Sequence, residues 1–163
     1  MGILITKSDF VGVYAIPNTI NDNIDAFINE CEEQYLIDLL GVELYDLFKA
    51  DLVNKIPQTN IYLTIYNKFT EAIGSFVYSS IGMKNMLLGY LYFEITRDNN
   101  TKNTSSGQVV NTVETSVRSG NAMLFKKHND SIKTHKVIQT YILDNLDVYP
   151  TFKGIVKNYS SPF

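Results

Sequence analysis

The sequence has no tryptophan, only two histidines and a single cysteine, Cys31. One cysteine excludes an intramolecular disulfide and a cysteine-based zinc site, and Cys31 is expected to act as a small buried apolar group. Two histidines leave little material for nucleophilic catalysis, and no Gly-x-x-x-x-Gly-Lys phosphate loop, Gly-x-Ser-x-Gly elbow or dinucleotide fingerprint occurs. No enzymatic activity and no cofactor are therefore expected. Long apolar runs are missing as well. The most apolar window, Ile81 to Ile95, is interrupted by Lys84 and Asn85 and is shorter than the roughly 20 residues that span a bilayer. It reads as a core helix, and no membrane association is expected. The opening MGILITKSDF lacks the basic leader, apolar stretch and cleavage site of a signal peptide. A formal net charge of −3 gives no overall attraction for nucleic acid.

What the sequence does have is helical periodicity. Its 163 residues, 45% hydrophobic and 19% charged, suffice to bury one core without disulfide or metal, so a single domain over 1–163 is expected. Thr19 or Asn21 can cap a first helix in which Ile20, Ile24, Phe27, Ile28, Cys31, Tyr35 and Leu39 follow the helical period. Asp22, Asp25, Asn29 and Glu32 are expected on a solvated acidic face of that helix. Gly41 supplies a left-handed position that ends it, and a second short helix runs through Leu44, Leu47, Phe48 and Leu52, closed by Pro57. Two further helices are expected over 61–79 and 82–97. A last long one runs from Ser119 to Leu146, with Leu146, Phe125, His128, Ile132, His135, Ile138 and Ile142 along its apolar side. The fold class is thus mainly α, a compact helical domain of four to five helices.

Between the last two helices lies RDNNTKNTSSGQVVNTVETSVRS. Its valines, Val109, Val110, Val113 and Val117, are β-branched residues set among Asn, Thr, Ser and Gly, which suggests a β-hairpin or extended arm over about 98–118. A connection of this length inside a compact domain is either functional or disordered. Metal chemistry finds no support: Glu30, Glu32 and Glu33 lack the Glu-x-x-His repeat of helical di-metal sites. His128 and His135 are two turns apart, whereas paired helical ligands sit three or four residues apart, so both are expected in packing. Charge, however, is polarised. From Asp22 to Asp51 there are nine acids and one base, Lys49, whereas Arg97 to Lys157 carries nine bases and five acids. In a head-to-tail ring, the basic side of one subunit would face the acidic side of the next.

The strings LITKSDF, AFINECEEQYLIDLLGVELYDLF, TSSGQVVNT and DNLDVYPTF occur in that order over most of the chain. Together they resemble the head–tail connector (adaptor) proteins of tailed bacteriophages, the neck ring proteins of crAss-like and other Bacteroides phages in particular. The resemblance implies a structural virion protein of the head–tail junction, made in the host cytoplasm. Its copies would form a homo-oligomeric, usually dodecameric, ring that contacts the portal and a neighbouring neck or tail ring and lets double-stranded DNA pass non-specifically. It also implies an arm at subunit contacts or the lumen, with Gln108, Val109, Val110, Asn111, Thr112 and Val113 as its best strand. A portal-docking tail over about 150–163 would carry Lys153, Lys157, Tyr159 and Phe163. A duplex that must slide is poorly served by strong phosphate binding, so a mildly acidic protein suits a channel. The alternatives are another head- or tail-completion protein and a small helical DNA-binding regulator using Lys126, Lys127, Lys133 and Lys136.

Overall fold

The computed structural model describes residues 2–16, 24–73, 76–104, 107–110 and 117–154. Apolar residues at multiples of four, Ile24, Ile28, Leu36 and Leu40, line the buried side of the first helix, α1 (Ile24–Leu40). Its expected caps, Thr19 and Asn21, lie outside the described residues, as does Ile20. Gly41 then breaks the helix with φ 74° and ψ 159°. This is a positive-φ conformation other than the left-handed cap expected there, in a region open essentially to glycine alone. Helix α2 (Val42–Ala50) restarts at once, burying Leu44, Tyr45 and Phe48.

A short hairpin follows, with β1 (Leu52–Val53) antiparallel to β2 (Ile56–Pro57). Its two turn residues, Asn54 and Lys55, both have positive φ, 50° and 69°, the pattern that matches the twist of a two-residue hairpin. The Asp51 carboxylate accepts the N–H groups of Gln58 and Thr59 at 2.7 and 2.8 Å. It thereby orders the entry to α3 (Asn60–Tyr66).

The helix expected over 61–79 ends at Tyr66. Beyond it, β3 (Phe69–Ile73) pairs antiparallel with β4 (Phe76–Ser80), in a register that sets Thr70 opposite Ser79 and Ala72 opposite Val77. The physical reason is legible afterwards. Two runs rich in aromatic and β-branched residues are separated by Gly-Ser, a two-residue hairpin spacing. The base of the hairpin is fixed to the body: Phe69 packs on the Tyr141 ring with centroids 5.0 Å apart, and Ser80 is buried.

Gly82, at φ 91°, opens helix α4 (Met83–Asn100). Strands β5 (Thr101–Thr104) and β6 (Gly107–Val110) then form the third two-stranded sheet, and α5 (Val117–Asp144) returns along α4. A Cβ on Gly89 would strike Ser131 Oγ and lie 2.9 Å from the Lys127 carbonyl oxygen; glycine is what lets these helices approach so closely. Among the described side chains of α5, the buried ones are Leu124, Ser131, Thr134, His135, Ile138, Gln139 and Ile142. The apolar side is therefore not centred on Leu146. That residue lies in the turn after the helix and is 45% exposed, and Phe125 is 51% exposed at the flank. Met83, Met86, Leu87, Leu91, Leu36, Leu39, Ile138 and Ile142 form the middle of one core shared by α1, α4 and α5.

The architecture is mainly α, with five α-helices among the described residues and a hairpin between the last two long ones. No described helix is long and apolar enough to cross a membrane.

Candidate functional site

The residues expected to act fall in three places. Gln108, Val109 and Val110 lie in β6, opposite Asn103, Lys102 and Thr101 of β5, so the arm does contain an antiparallel hairpin. Asn111, Thr112 and Val113 lie outside the described residues. The described strand starts at Gly107, one residue before the expected Gln108.

The tail is tied to its own body as far as it is described. Tyr149 is buried and its hydroxyl donates to the Ile61 carbonyl oxygen at 2.7 Å. Phe152 is buried too. Lys153 Nζ pairs with Glu43 Oε1 at 2.5 Å across an exposed surface, and the Gly154 backbone nitrogen would be 3.2 Å from a Cβ on Gly41. A cleft of about 330 Å³ lies here, lined by Ile37, Asp38, Gly41, Val42, Glu43, Lys153 and Gly154. Lys157, Tyr159 and Phe163 lie outside the described residues.

The acidic face needs a correction. Asp25 is exposed as expected, and Asp22 lies outside the described residues, but Glu32 is fully buried. It occupies the central position of the four-residue ladder from Ile24 to Leu40, where the period would place an apolar side chain. The carboxylate is there to satisfy backbone. Its Oε1 accepts the N–H groups of Leu4 and Ile5 at 2.7 and 3.0 Å, while Lys55 Nζ donates to the carbonyl oxygens of Gly2 and Ile5 at 2.7 and 3.3 Å. The N-terminal segment is thus clamped between a buried acid and the turn of the first hairpin. Burial pushes the Glu32 carboxyl up from its usual range, against the backbone N–H bonds and the Lys55 charge, which pull it down. Its second oxygen has no hydrogen-bond partner among the described residues. Sequence periodicity carried a signal for this, since Glu32 interrupts an otherwise unbroken i, i+4 apolar series.

The two histidines sit in an aromatic row along α4 and α5. His128 stacks on Phe93 at 4.1 Å and meets the edge of Tyr90; burial holds its pKa below the ordinary value. His135 is buried and also packs edge-on against Tyr90, which in turn stacks on Tyr35 at 4.3 Å. The Tyr35 hydroxyl donates to Glu94 at 3.0 Å, and Glu94 also pairs with Arg97. Both histidines thus serve packing. Cys31 is half-buried beside a cleft of about 290 Å³ with Phe27, Gln34, Tyr35 and Arg97. No cluster of three or more metal-ligating side chains occurs among the described residues.

Sequence reasoning missed the β3–β4 hairpin as a surface. Thr70, Glu71, Ala72, Val77 and Ser79 are exposed, and Val77, at 70%, is the most exposed of the large hydrophobic side chains described. Other apolar residues stand exposed on α2 and the first hairpin, namely Val42, Leu47, Val53 and Ile56. Comparison with protein-family models, curated proteins and solved structures yields no match to this chain.

Proposed function

We propose that the protein is a structural subunit of a virion neck ring, joining the portal to the tail and surrounding the DNA passage without catalysing a reaction. One observation carries this reading: a helical body bears two antiparallel hairpins, β3–β4 and β5–β6, at the two ends of α4, and among the described residues each has two strands. Open strand edges of this kind are where a neighbouring chain can add backbone hydrogen bonds. The strings LITKSDF, AFINECEEQYLIDLLGVELYDLF, TSSGQVVNT and DNLDVYPTF, which resemble connector proteins, and the separation of acidic and basic segments support the same reading. Electron microscopy and native mass spectrometry of the protein with its cognate portal test it. A ring seated on the portal is expected; a chain that stays monomeric and never binds the portal overturns it.

A second reading, a helical DNA-binding regulator, would need Lys126, Lys127, Lys133 and Lys136 as one basic stripe. The stripe is not left to a phosphate backbone: Lys126 lies 3.4 Å from Asp130, and Lys127 Nζ sits over the Tyr14 ring, 4.8 Å from its centroid. Salt-dependent binding of duplex DNA by the isolated protein would favour the regulator over the ring.

A further inference from the structure

Helix α5 carries its charges against its own dipole. The positive end of a helix dipole is the N-terminus, yet along α5 the bases Lys126, Lys127, Lys133 and Lys136 precede Asp144, and Asp147 follows in the next turn. The last turn of the helix holds no basic residue. Asp144 and Asp147 are both exposed, and neither has an ion pair among the described residues. These two acids weaken the helix end they sit on, and nothing within the fold offsets them.

Each end of α5 also exposes apolar side chains. At the C-terminal end these are Leu143, Leu146 and Val148, interleaved with the two acids. At the other end Met123 is exposed, one turn before Lys127 and three residues before Lys126. The N-terminal segment extends that surface. Tyr14 lies under Lys127 Nζ and meets Tyr92 edge-on at 5.9 Å, which anchors a turn whose Val11 and Val13 are exposed and whose Gly12 faces open space. One apolar surface is thus rimmed by Lys126 and Lys127 against a single acid, Asp130, and the other by Asp144 and Asp147.

Exposed apolar side chains with a polar rim mark interaction surfaces, and rims of opposite charge select each other. Within one chain the two surfaces cannot meet, because Met123 and Leu143 are twenty residues apart on one helix, about 30 Å. The occupant of each is a second copy. We infer that the surface of Val11, Val13 and Met123 on one subunit docks on that of Leu143, Leu146 and Val148 on the next, with Lys126 facing Asp144. Two different surfaces make the contact heterologous, so it propagates from copy to copy until the assembly closes. This rests on the ring reading above, is independent of the hairpin edges, and names a contact that would build the ring.

Charge exchange tests it, by sedimentation of the full chain alone and with the cognate portal. Lys126→Glu and Asp144→Lys each place like charges across the contact, and each should raise the concentration for half-assembly about tenfold. An equal mixture of the two should assemble like the wild type, because unlike variants bring opposite charges together. Lys133→Glu makes the same charge change at the middle of α5 and should leave assembly unaltered. Circular dichroism spectra matching the wild type establish that each variant is folded. A ring that forms equally well with either variant alone, a mixture no better than its components, or an equal loss in Lys133→Glu overturns the contact and leaves the ring reading in place. Assembly that stops at a dimer, or a wild-type chain that stays monomeric and never joins the portal, overturns both.

Discussion

At the scale of single residues, Glu32 has the largest consequences. Removing its side chain leaves the N–H groups of Leu4 and Ile5 without their acceptor and opens a cavity, so Glu32→Ala should cost about 2–4 kcal/mol of unfolding free energy. Glu32→Gln retains an acceptor oxygen and should stay within about 1 kcal/mol of wild type at neutral pH. The two variants also differ in their response to pH. Because the folded-state pKa of Glu32 lies above its unfolded value of 4.5, the folded protein takes up this proton more readily than the unfolded chain. The associated stability is fully present below the unfolded pKa and is lost as pH rises through the raised folded value. Denaturation curves collected from acid to neutral pH should show the wild type losing ground against Glu32→Gln as pH rises. A difference that is flat, or that runs the other way, would mean the carboxyl is not held up by burial.

At the scale of elements, two glycines decide how helices meet. Gly89→Ala drives a methyl group into Ser131 Oγ and the Lys127 carbonyl oxygen, and overpacking of this kind typically costs about 1–3 kcal/mol. The loss should appear as a lower thermal midpoint, with far-UV helicity retained below it. Gly41→Ala should cost a similar amount, about 1–3 kcal/mol, because its φ of 74° with ψ 159° is a glycine conformation. Its Cβ would also press on Gly154, so this variant should loosen the tail around Lys153; earlier proteolytic cleavage near residues 150–154 would report it. A further element-scale device is Gln139, buried on α5. Its amide donates to the carbonyl oxygens of Asp38 and Leu39 at 3.1 and 3.4 Å, satisfying groups that the last turn of α1 leaves open. Gln139→Leu should destabilise by about 1–3 kcal/mol, measured by chemical denaturation.

At the scale of the whole molecule, the core lies among α1, α4 and α5, and the β5–β6 hairpin belongs to the connection between α4 and α5. Deleting Asn103 to Val113 should therefore leave the helical spectrum and the thermal midpoint close to wild type while weakening assembly, as read by sedimentation. Loss of the fold on deletion would show that the arm is part of the core; unchanged assembly would remove it from the subunit contacts. The polar stretch between the helices, open to two readings from composition, is thereby separated into a hairpin with a register and residues on either side of it.

The sequence by itself determined the class of the fold and most of its long helices, because apolar residues at helical spacing have few other ways to leave water. It also determined the break at Gly41 and a hairpin between α4 and α5, since glycine and clustered β-branched residues limit the backbone locally. Three matters were decided only in the tertiary structure. The β3–β4 strands were hidden because a short apolar run reads equally well as helix until its neighbours fix which sides are covered. Glu32 was assigned to solvent because a charge is buried only when distant backbone supplies donors, here residues more than 20 positions earlier in the chain. The buried side of α5 keeps the expected His135, Ile138 and Ile142 but turns away from Phe125 and Leu146, because α5 packs Ser131 on Gly89, Thr134 on the Ile81 backbone and Gln139 on the end of α1. Local pattern sets what each segment can form, and close packing with remote segments sets which of its faces is buried.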